Sequence, residues 1–418
     1  MGTQIDLFVA GRWRQASSGR TLALIDPASE AEIGRVPVAT EADIAEAVAI
    51  AQEAFGRWRQ TPAFERAAII ARAADLMRAR ADAIGRVATR EQGKIFAEAR
   101  TECLFAADVL QWAGEEARRL YGRIVPPPQP EGAHRRHASS HRARGGFHAV
   151  EFPAYDAGAQ DRRRAGGRMR LHPESLGGDA GQRARHRAGL PGCGLPDGVL
   201  SVVFGDPAAI STQLTPAEPV RMISFTGSVP VGRTLGSLAA QNLKRAALEL
   251  GGYAPVPVLV FDDVDVEATA AMAVQAKFRN AGQICIAPRR FYVHERIHDA
   301  FVDAMAKAAG ALTVGDGLHE GVATGPLANL RRIEAVERMV ADAEGLGARV
   351  MAGGHRIGNS GFFYEATVLA EVPDTPLAMR NEPFGPLALV QPFSRFDEAI
   401  ENLPQPGMSV APTWIARP

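Results

Sequence analysis

The spacing of hydrophobic residues changes along the chain, and each spacing predicts a different element. Near the N-terminus, the apolar runs Leu7–Val9 and Thr21–Ile25 are separated by glycine and serine, which predicts short strands. From about residue 40 to residue 121, apolar residues recur every three or four positions, and this period predicts helices. Thr40 is followed three positions later by Asp43, a combination that predicts the start of the first helix.

After residue 194 the pattern alternates between short apolar runs and helical stretches. The runs Leu200–Phe204, Met222–Phe225 and Val256–Phe261 predict buried strands, and Val231–Lys244 predicts a helix between two of them. A second stretch of the same kind extends from Val266 to about Phe393. Strands that alternate with helices predict parallel sheets covered by helices, so the expected fold class is α/β.

Size and composition limit the classes of protein. The chain has 418 residues, more than the roughly 250–300 at which a single core stops growing, so two or more domains are expected. Its 47 basic and 47 acidic residues cancel, which argues against nucleic acid or an anionic membrane as a partner. Long apolar runs and a secretory signal pattern at Met1–Asp6 are missing, so we expect a cytoplasmic protein that does not span a membrane.

The three cysteines, Cys103, Cys193 and Cys285, are odd in number and far apart, which disfavours a disulfide framework. Cysteine and histidine also show no spacing typical of a metal site.

Residues 131–190 break the pattern. They contain twelve arginines and six of the ten histidines, with no lysine, isoleucine or threonine. Because apolar periodicity vanishes there, we expect strands and helices to be lost from this segment. One interpretation is a basic arm that binds nucleic acid. The three aromatic residues that could stack on bases lie apart from most of the arginines, however, which favours a second interpretation, a frameshifted reading of the gene.

Residues 278–285 read Phe-Arg-Asn-Ala-Gly-Gln-Ile-Cys and carry a candidate nucleophile. A lone cysteine is more often a small buried hydrophobic residue. Here Gly282 permits a close backbone approach, and Phe278, Ile284 and Ile286 can line an apolar pocket. We therefore predict that Cys285 is a nucleophile whose thiolate is favoured by nearby positive charge or backbone N–H groups.

Glu249 is the candidate general base. It lies at the end of a predicted helical stretch, before Gly251 and Gly252, where a glutamate can simply be a solvated surface acid. Leu248 and Leu250 flank it, and a carboxylate withdrawn from water has a raised pKa that suits a general base. We therefore predict a desolvated Glu249.

Two further stretches bear on a cofactor. Residues 225–232 read Phe-Thr-Gly-Ser-Val-Pro-Val-Gly, follow a predicted strand and open a helix, whose N-terminal N–H groups favour a pyrophosphate. The glycine spacing differs from the usual dinucleotide fingerprint, so this signal alone is weak. Residues 381–386 read Asn-Glu-Pro-Phe-Gly-Pro, which alone predicts a turn with Phe384 in the core.

Together, and in this order, these stretches resemble the aldehyde dehydrogenase superfamily over about residues 5–133 and 194–402. Residues 121–126 and 277–280 look most like its succinate-semialdehyde branch. The resemblance implies that Arg279 binds the carboxylate of the substrate, although an arginine there can also pair with an internal acid. It also implies NAD or NADP as cofactor, held by Thr226, Gly227, Ser228, Gly232, Leu250, Gly251, Glu382 and Phe384.

The implied reaction has four steps. Cys285 adds to the aldehyde carbon to give a thiohemiacetal, a hydride passes to the nicotinamide to leave a thioester, Glu249 activates water, and the carboxylic acid leaves. The family holds the oxyanion with the cysteine N–H and with an asparagine of Trp-Asn-Phe-Pro. Glu151 takes that place here, and loss of one such donor typically lowers the rate by about 10²–10³. Codons for Val150–Pro153, moved by one base, can spell Trp-Asn-Phe-Pro, which supports the frameshift interpretation.

The resemblance also implies a domain plan: two Rossmann-type parallel-sheet domains with a remnant of an oligomerisation arm. We expect a truncated C-terminus, because family members usually continue for several tens of residues, and they are usually homo-oligomers that act on small aldehydes. The expected parts are a dinucleotide-binding domain at 1–120 and 147–252 with 134–190 aberrant, an aberrant arm at 121–146, a catalytic domain at 253–402 and an aberrant tail at 403–418.

Two alternative functions stay open at this point. The arginine-rich segment and the expected truncation are compatible with an inactive or non-enzymatic remnant of such an enzyme. Cys285 and Glu249 could also serve a cofactor-free cysteine esterase, against which the stretches at 227–232 and 382–384 argue.

Overall fold

The computed structural model describes residues 3–121, 123–125, 134–136, 144–147, 170–175, 192–251, 257–401 and 413–415. The chain divides into two compact units, and both are discontinuous in sequence. The first unit comprises Met1–Leu24, Ile33–Val87 and Arg100–Glu249, and the second comprises Ile25–Glu32, Ala88–Ala99 and Leu250–Pro418. Two short segments from the N-terminal quarter therefore belong to the unit that contains Cys285.

The first unit contains a seven-stranded sheet whose central strands are parallel. Two antiparallel strands from the N-terminus continue it at one edge. In order across the sheet the strands are Arg245–Leu250, Met222–Gly227, Arg144–Phe147, Arg170–Ser175, Leu200–Gly205, Leu7–Val9 and Arg12–Arg14.

Two of these central strands, Arg144–Phe147 and Arg170–Ser175, come from the arginine-rich segment. The expectation that this segment would lose its strands is wrong for these ten residues. Sheet hydrogen bonds join backbone groups, and Leu200–Gly205 pairs residue by residue with Arg170–Ser175 without requiring an apolar pattern. Glu151 and the rest of the segment between the described strands lie outside the described residues, as does most of the tail after residue 401.

Two small sheets complete the strands of the N-terminal half. Thr3–Gln4, Glu32–Pro37 and Thr21–Ile25 form one of them, with Glu32–Pro37 in the middle. Arg123–Val125 pairs antiparallel with His134–Arg136 within the stretch predicted to be the oligomerisation arm.

The predicted helical region before residue 121 is confirmed as a series of four helices. Two more helices follow strands of the first unit, as the alternating pattern predicts. The six are Glu41–Trp58, Ala63–Ala79, Ala81–Gln92, Phe96–Ala117, Pro207–Leu214 and Val229–Gln241. None of the helices that the structure describes is both long and apolar enough to cross a membrane.

The second unit is built on a six-stranded sheet with five parallel strands and one antiparallel edge strand. The prediction of an α/β fold with parallel sheets is therefore confirmed. In order, the strands are Arg349–Ala352, Thr367–Ala370, Leu387–Phe393, Arg290–His294, Pro257–Val260 and Thr413–Ile415. Its helical segments are Val266–Phe278, the 3-10 turn Arg279–Gly282, His298–Gly310, Leu330–Gly345, Leu377–Arg380 and Phe396–Glu401.

Alternating strand residues give the sheet of the second unit two apolar faces. Val258, Phe291 and Val390 join a core with Phe301 of the helix His298–Gly310. On the other face Leu369, Leu387 and Leu389 pack in a core with Val336 and Val340 of the helix Leu330–Gly345. Helices on both faces of a parallel sheet bury it fully, which provides a rigid support for the loops at the strand ends.

The start of the first helix is stabilised by a buried carboxylate. Thr40 Oγ1 accepts from the Asp43 N–H at 3.2 Å, and Asp43 Oδ2 accepts from the Thr40 N–H at 2.9 Å, so the predicted capping pair is confirmed. Arg14 Nη1 also donates to Asp43 Oδ1 at 2.8 Å. Burial alone would raise the pKa of Asp43, but hydrogen bonds from Thr40, Arg14 and Ser17 outweigh it and hold the pKa at about 2.

We expect Asp43→Asn to destabilise the protein in a pH-dependent way. The folded pKa of about 2 lies below the unfolded value of 3.8, so ionised Asp43 contributes on the order of 2 kcal/mol above about pH 4. This contribution is lost as the pH falls from about 4 towards 2, with roughly half gone at pH 3. The measurement is the thermal unfolding midpoint of both proteins between pH 7 and pH 3. Glu46→Gln, which removes the exposed partner of Arg14, is the control, and an unchanged Asp43→Asn difference across this range would contradict the account.

Candidate active site

The turn that carries Cys285 has an uncommon backbone. The helix Val266–Phe278 ends directly before it, and Asn280, Ala281 and Gly282 then have φ values of 48°, 52° and 70°. Left-handed conformations cost a residue with a side chain roughly 1–2 kcal/mol each. Such a run persists only where the surroundings enforce it, a situation that is common at functional sites.

Hydrogen bonds from polar side chains in and next to the turn stabilise this left-handed backbone. Asn280 Nδ2 donates to the Gln283 carbonyl at 3.0 Å, and Gln283 Nε2 donates back to the Asn280 carbonyl at 3.2 Å. Gln283 Oε1 accepts from the Ala328 N–H, and the Asn280 N–H donates to Glu98 Oε2, both at 3.0 Å. Asn280 and Gln283 are buried, so these bonds replace the water and backbone partners that the turn lacks.

Gly282 brings the turn against a second backbone segment. A Cβ atom at this position would lie 2.1 Å from the Gly385 carbonyl oxygen and 3.1 Å from Lys277 Nζ. The close backbone approach predicted for Gly282 is therefore confirmed. The segment it approaches contains Glu382 and Phe384, the two residues that the resemblance assigns to the nicotinamide half of the cofactor.

Cys285 lies at the end of this turn and is partly exposed, as a reactive cysteine must be. Phe278 and Ile284 are buried beside it in sequence. Ile286, however, is 56% exposed, so the prediction that it lines an apolar pocket is wrong for this unit. Arg279 is exposed at the start of the turn.

Arg289 is a site residue that the sequence analysis missed. Its side chain is only 2% exposed. Nη2 donates to the carbonyls of Ile284 and Cys285, both at 3.3 Å, and to Glu382 Oε1 in a short charge-assisted bond. Arginine is almost never fully buried unless it is paired. Two adjacent arginines directly before the apolar run Phe291–Val293 were the signal available in the sequence.

Lys277 adds a second buried cation. Its fully buried Nζ donates to the Gly385 carbonyl at 3.1 Å. Burial lowers the pKa of Lys277 well below its usual value, repulsion from Arg289 lowers it further, and Glu382 acts in the opposite direction. The surroundings of Glu382 therefore combine one permanent cation, Arg289, with an amine whose pKa is lowered.

Glu382 and Gly251 are neighbours in the second unit. A Cβ atom at Gly251 would overlap the carboxylate of Glu382, so a larger residue there would require the Glu382 side chain to move. Glu382 and Phe384 also line a cavity of about 320 Å³ together with Arg332. Phe384 is half-buried, whereas the sequence of this turn alone predicted a core residue.

Glu249 occupies a strand and not the end of a helix, which corrects the sequence analysis. It lies in Arg245–Leu250 with an exposed side chain, so the predicted desolvation is absent from this described strand. Successive strand residues point to opposite faces: Leu248 packs near Gly236, and Glu249 points the other way. The flanking leucines therefore indicate an alternating strand and not an apolar pocket around the carboxylate.

The predicted pyrophosphate stretch has the expected strand–turn–helix form. Thr226 and Gly227 end the strand Met222–Gly227, Ser228 is the N-cap, and Gly232 lies in the first turn of the helix Val229–Gln241. Among the described residues the Ser228 side chain makes no capping hydrogen bond. A helix start without a side-chain cap presents its N–H groups to an anion, so these residues fit the diphosphate of a dinucleotide.

The predicted site residues are thus divided between the units. Glu249 and the pyrophosphate stretch lie in the first unit, whereas Leu250, Gly251, Arg279, Cys285, Glu382 and Phe384 lie in the second. Within the second unit, Arg289 hydrogen-bonds to both the Cys285 carbonyl and Glu382, and Glu382 lies next to Gly251. In the described ranges, no group of three or more His, Cys, Asp or Glu residues could hold a metal ion.

The sequence profile of the Aldehyde dehydrogenase family matches residues 13–149 and 187–405. The chain belongs to this family. The match omits residues 150–186, which lie within the arginine-rich segment. Members of the family are oxidoreductases that act on aldehydes with NAD or NADP, and the resemblance stated above is confirmed.

Similar proteins come from several bacteria. A 4-(hydroxymethyl)benzenesulfonate dehydrogenase of Comamonas testosteroni is 39% identical over 94% of this chain and 82% of its own length. A glutarate-semialdehyde dehydrogenase of Pseudomonas aeruginosa is 38% identical over 94% of this chain and 80% of its own length. The crystal structure of succinate-semialdehyde dehydrogenase from Burkholderia pseudomallei is 35% identical, with a TM-score of 0.93, and covers 99% of this chain and 86% of its own.

We expect Gly282→Ala to disrupt the site. The added Cβ would overlap the Gly385 carbonyl in a left-handed backbone, so the turn must move and the cysteine with it. Displacement of a reacting group by about 1 Å can lower the rate by about 10². Gly310→Ala is the matched control, because a Cβ atom there meets nothing within 4 Å. Aldehyde oxidation rates and unfolding midpoints of both variants test this; a Gly282→Ala enzyme as active as Gly310→Ala would contradict it.

Proposed function

We propose that this protein oxidises an aldehyde carrying an anionic group, such as succinate semialdehyde, to the carboxylic acid with NAD or NADP. The observation that carries the proposal is the arrangement in the second unit. A partly exposed cysteine follows an enforced left-handed turn by three residues, and a buried arginine joins its backbone to Glu382. A cofactor-binding carboxylate held near a nucleophile suits a dehydrogenase better than a cofactor-free esterase.

Cys285 is the proposed nucleophile. Its thiolate adds to the aldehyde carbon, and the thiohemiacetal oxyanion is stabilised by the backbone N–H of Cys285. Loss of a hydride from that carbon leaves a thioester on Cys285. Arg289 donates to the carbonyl of Cys285. This bond and the rigid turn hold the nucleophile in one orientation, and a nucleophile that is already oriented loses less entropy in the transition state.

Glu249 is the proposed base for the second half of the reaction. Its carboxylate is exposed and therefore within reach of water. It takes a proton from the water that attacks the thioester carbon, and the carboxylic acid leaves as the thiolate of Cys285 is restored.

The cofactor residues are proposed from both units. The helix start at Ser228–Gly232 would hold the diphosphate, together with Thr226 and Gly227, and the backbone at Leu250 and Gly251 leaves space beside Glu382. Glu382 would hold the nicotinamide ribose and Phe384 the ring. When bound, the dinucleotide supplies the hydride acceptor.

The anionic substrate class is proposed from Arg279 and from the relatives. Arg279 is exposed at the start of the turn that ends in Cys285, and a guanidinium binds a carboxylate through two parallel hydrogen bonds. The names of the relatives include a benzenesulfonate and a glutarate semialdehyde, and both groups are anionic. This shared charge supports Arg279 as the determinant of substrate class.

We also propose a cytoplasmic homo-oligomer. Large apolar side chains are exposed on the first unit, including Trp112, Tyr121, Val231 and Leu243. Burial of such residues between subunits would remove apolar surface from water, which is consistent with the assembly that is usual in the family.

Cys285→Ala and Glu249→Gln are expected to block different steps. The first should abolish reduction of the cofactor. The second should allow one rapid turnover per site followed by a slow phase, because the thioester forms but is not hydrolysed. Stopped-flow absorbance of the reduced nicotinamide checks both, with Cys193→Ala as a control that retains turnover. Reduction by Cys285→Ala at the wild-type rate would exclude the proposed nucleophile.

Arg279→Met is expected to raise KM for succinate semialdehyde and not for butanal. A charged hydrogen bond contributes about 1.5–3 kcal/mol, so the change should be about tenfold to a hundredfold. Steady-state kinetics with the two aldehydes measure it, and butanal serves as the internal control because it lacks the carboxylate. An equal change in KM for both substrates would rule out charge recognition by Arg279.

A further inference from the structure

Arg289 makes contacts that join two parts of the site. Through one nitrogen, Nη2, it donates to the carbonyls of Ile284 and Cys285 at 3.3 Å and to Glu382 Oε1. The three acceptors lie on the cysteine turn and on a segment 93 positions further along the chain. One buried guanidinium therefore constrains both the nucleophile and a carboxylate assigned to the cofactor.

We infer that Arg289 is a positioning residue that couples the orientation of Cys285 to that of Glu382. The inference rests on the proposed function for the assignment of Glu382 to the cofactor. Arg289 engages Oε1 of Glu382, whereas Oε2 lies on the side of Gly251. A carboxylate fixed through one oxygen presents the other in a defined direction to a ribose hydroxyl.

The basic residues around Glu382 differ in burial and in how firmly they hold their charge. Lys277 is fully buried and loses its proton easily because of burial and Arg289. Arg332 is partly buried and lines the same cavity as Glu382. Arg289 is the more deeply buried of these two arginines and forms an ion pair with Glu382, so its removal would take this hydrogen-bonded countercharge away from the carboxylate.

The next residue, Arg290, offers a matched comparison. It is also buried, begins the strand Arg290–His294 and donates to the Met379 carbonyl. A lysine at position 289 or at position 290 keeps the charge and removes the planar fork of donors. A purely structural role would give both substitutions similar consequences.

The experiment compares Arg289→Lys, Arg290→Lys, Glu382→Gln and the double variant R289K/E382Q. Two readouts need no turnover. The first is the dissociation constant for NAD and NADP, from protein fluorescence. The second is the rate of alkylation of Cys285 by iodoacetamide, followed by mass spectrometry of the peptide.

Coupling predicts a specific pattern. Arg289→Lys weakens cofactor binding about tenfold and changes the alkylation rate at least roughly threefold, and Arg290→Lys changes neither by more than about twofold. In the E382Q background, Arg289→Lys no longer affects cofactor binding, because it acts through Glu382, but still changes alkylation. Glu382→Gln alone changes alkylation of Cys285, because Arg289 loses one of its acceptors.

Three results would overturn the inference. They are equal effects of the two lysine substitutions, an unchanged effect of Arg289→Lys on cofactor binding in the E382Q background, and wild-type alkylation in Glu382→Gln. If Arg289→Lys does not fold, the Glu382→Gln arm still decides. A wild-type protein that binds dinucleotide but oxidises no aldehyde would refute the proposed function. The binding and alkylation results of the variants would still test the role of Arg289.

Discussion

The placement of Cys285 depends on how closely the turn at 279–282 approaches the backbone at Gly385. That approach leaves no room for a Cβ atom at Gly282, and it is maintained by the Lys277 bond to the Gly385 carbonyl and by the polar bonds inside the turn. Both segments lie at the ends of elements that a fully covered sheet holds in place. The rigid core thus supports a strained loop, which is where reactive residues are commonly found.

Electrostatics gives this geometry its chemical character. Glu382 forms an ion pair with Arg289 and interacts electrostatically with two further basic side chains, Lys277 and Arg332. Arg289 donates both to the carbonyl of Cys285 and to Glu382, so the inferred coupling between the two residues passes through this one guanidinium. These contacts join the residue proposed to hold the cofactor to the proposed nucleophile.

The sequence predicts the elements better than it predicts their environments. Periodicity identified the strands Leu200–Gly205, Met222–Gly227 and Pro257–Val260 and the capping pair at Thr40 and Asp43. The order of motifs identified the family. The sequence analysis placed Glu249 at the end of a helix. The sequence Leu-Glu-Leu is compatible with a helix or a strand as long as the elements that pack against it are unknown. The sequence analysis also missed Arg289, whose partner lies 93 positions away, and it did not anticipate strands in an arginine-rich segment, where backbone pairing and not side-chain pattern decides.

The central claim is that Cys285 carries the substrate as a thioester formed only with a dinucleotide. Rapid mixing of protein, aldehyde and cofactor, followed by acid quenching and peptide mass spectrometry, tests it directly. The account predicts an acyl group on the peptide containing Cys285 when aldehyde and cofactor are both present, and none when either is omitted. An acyl group on another residue, or one on Cys285 from an ester without cofactor and none from the aldehyde with it, would contradict the account.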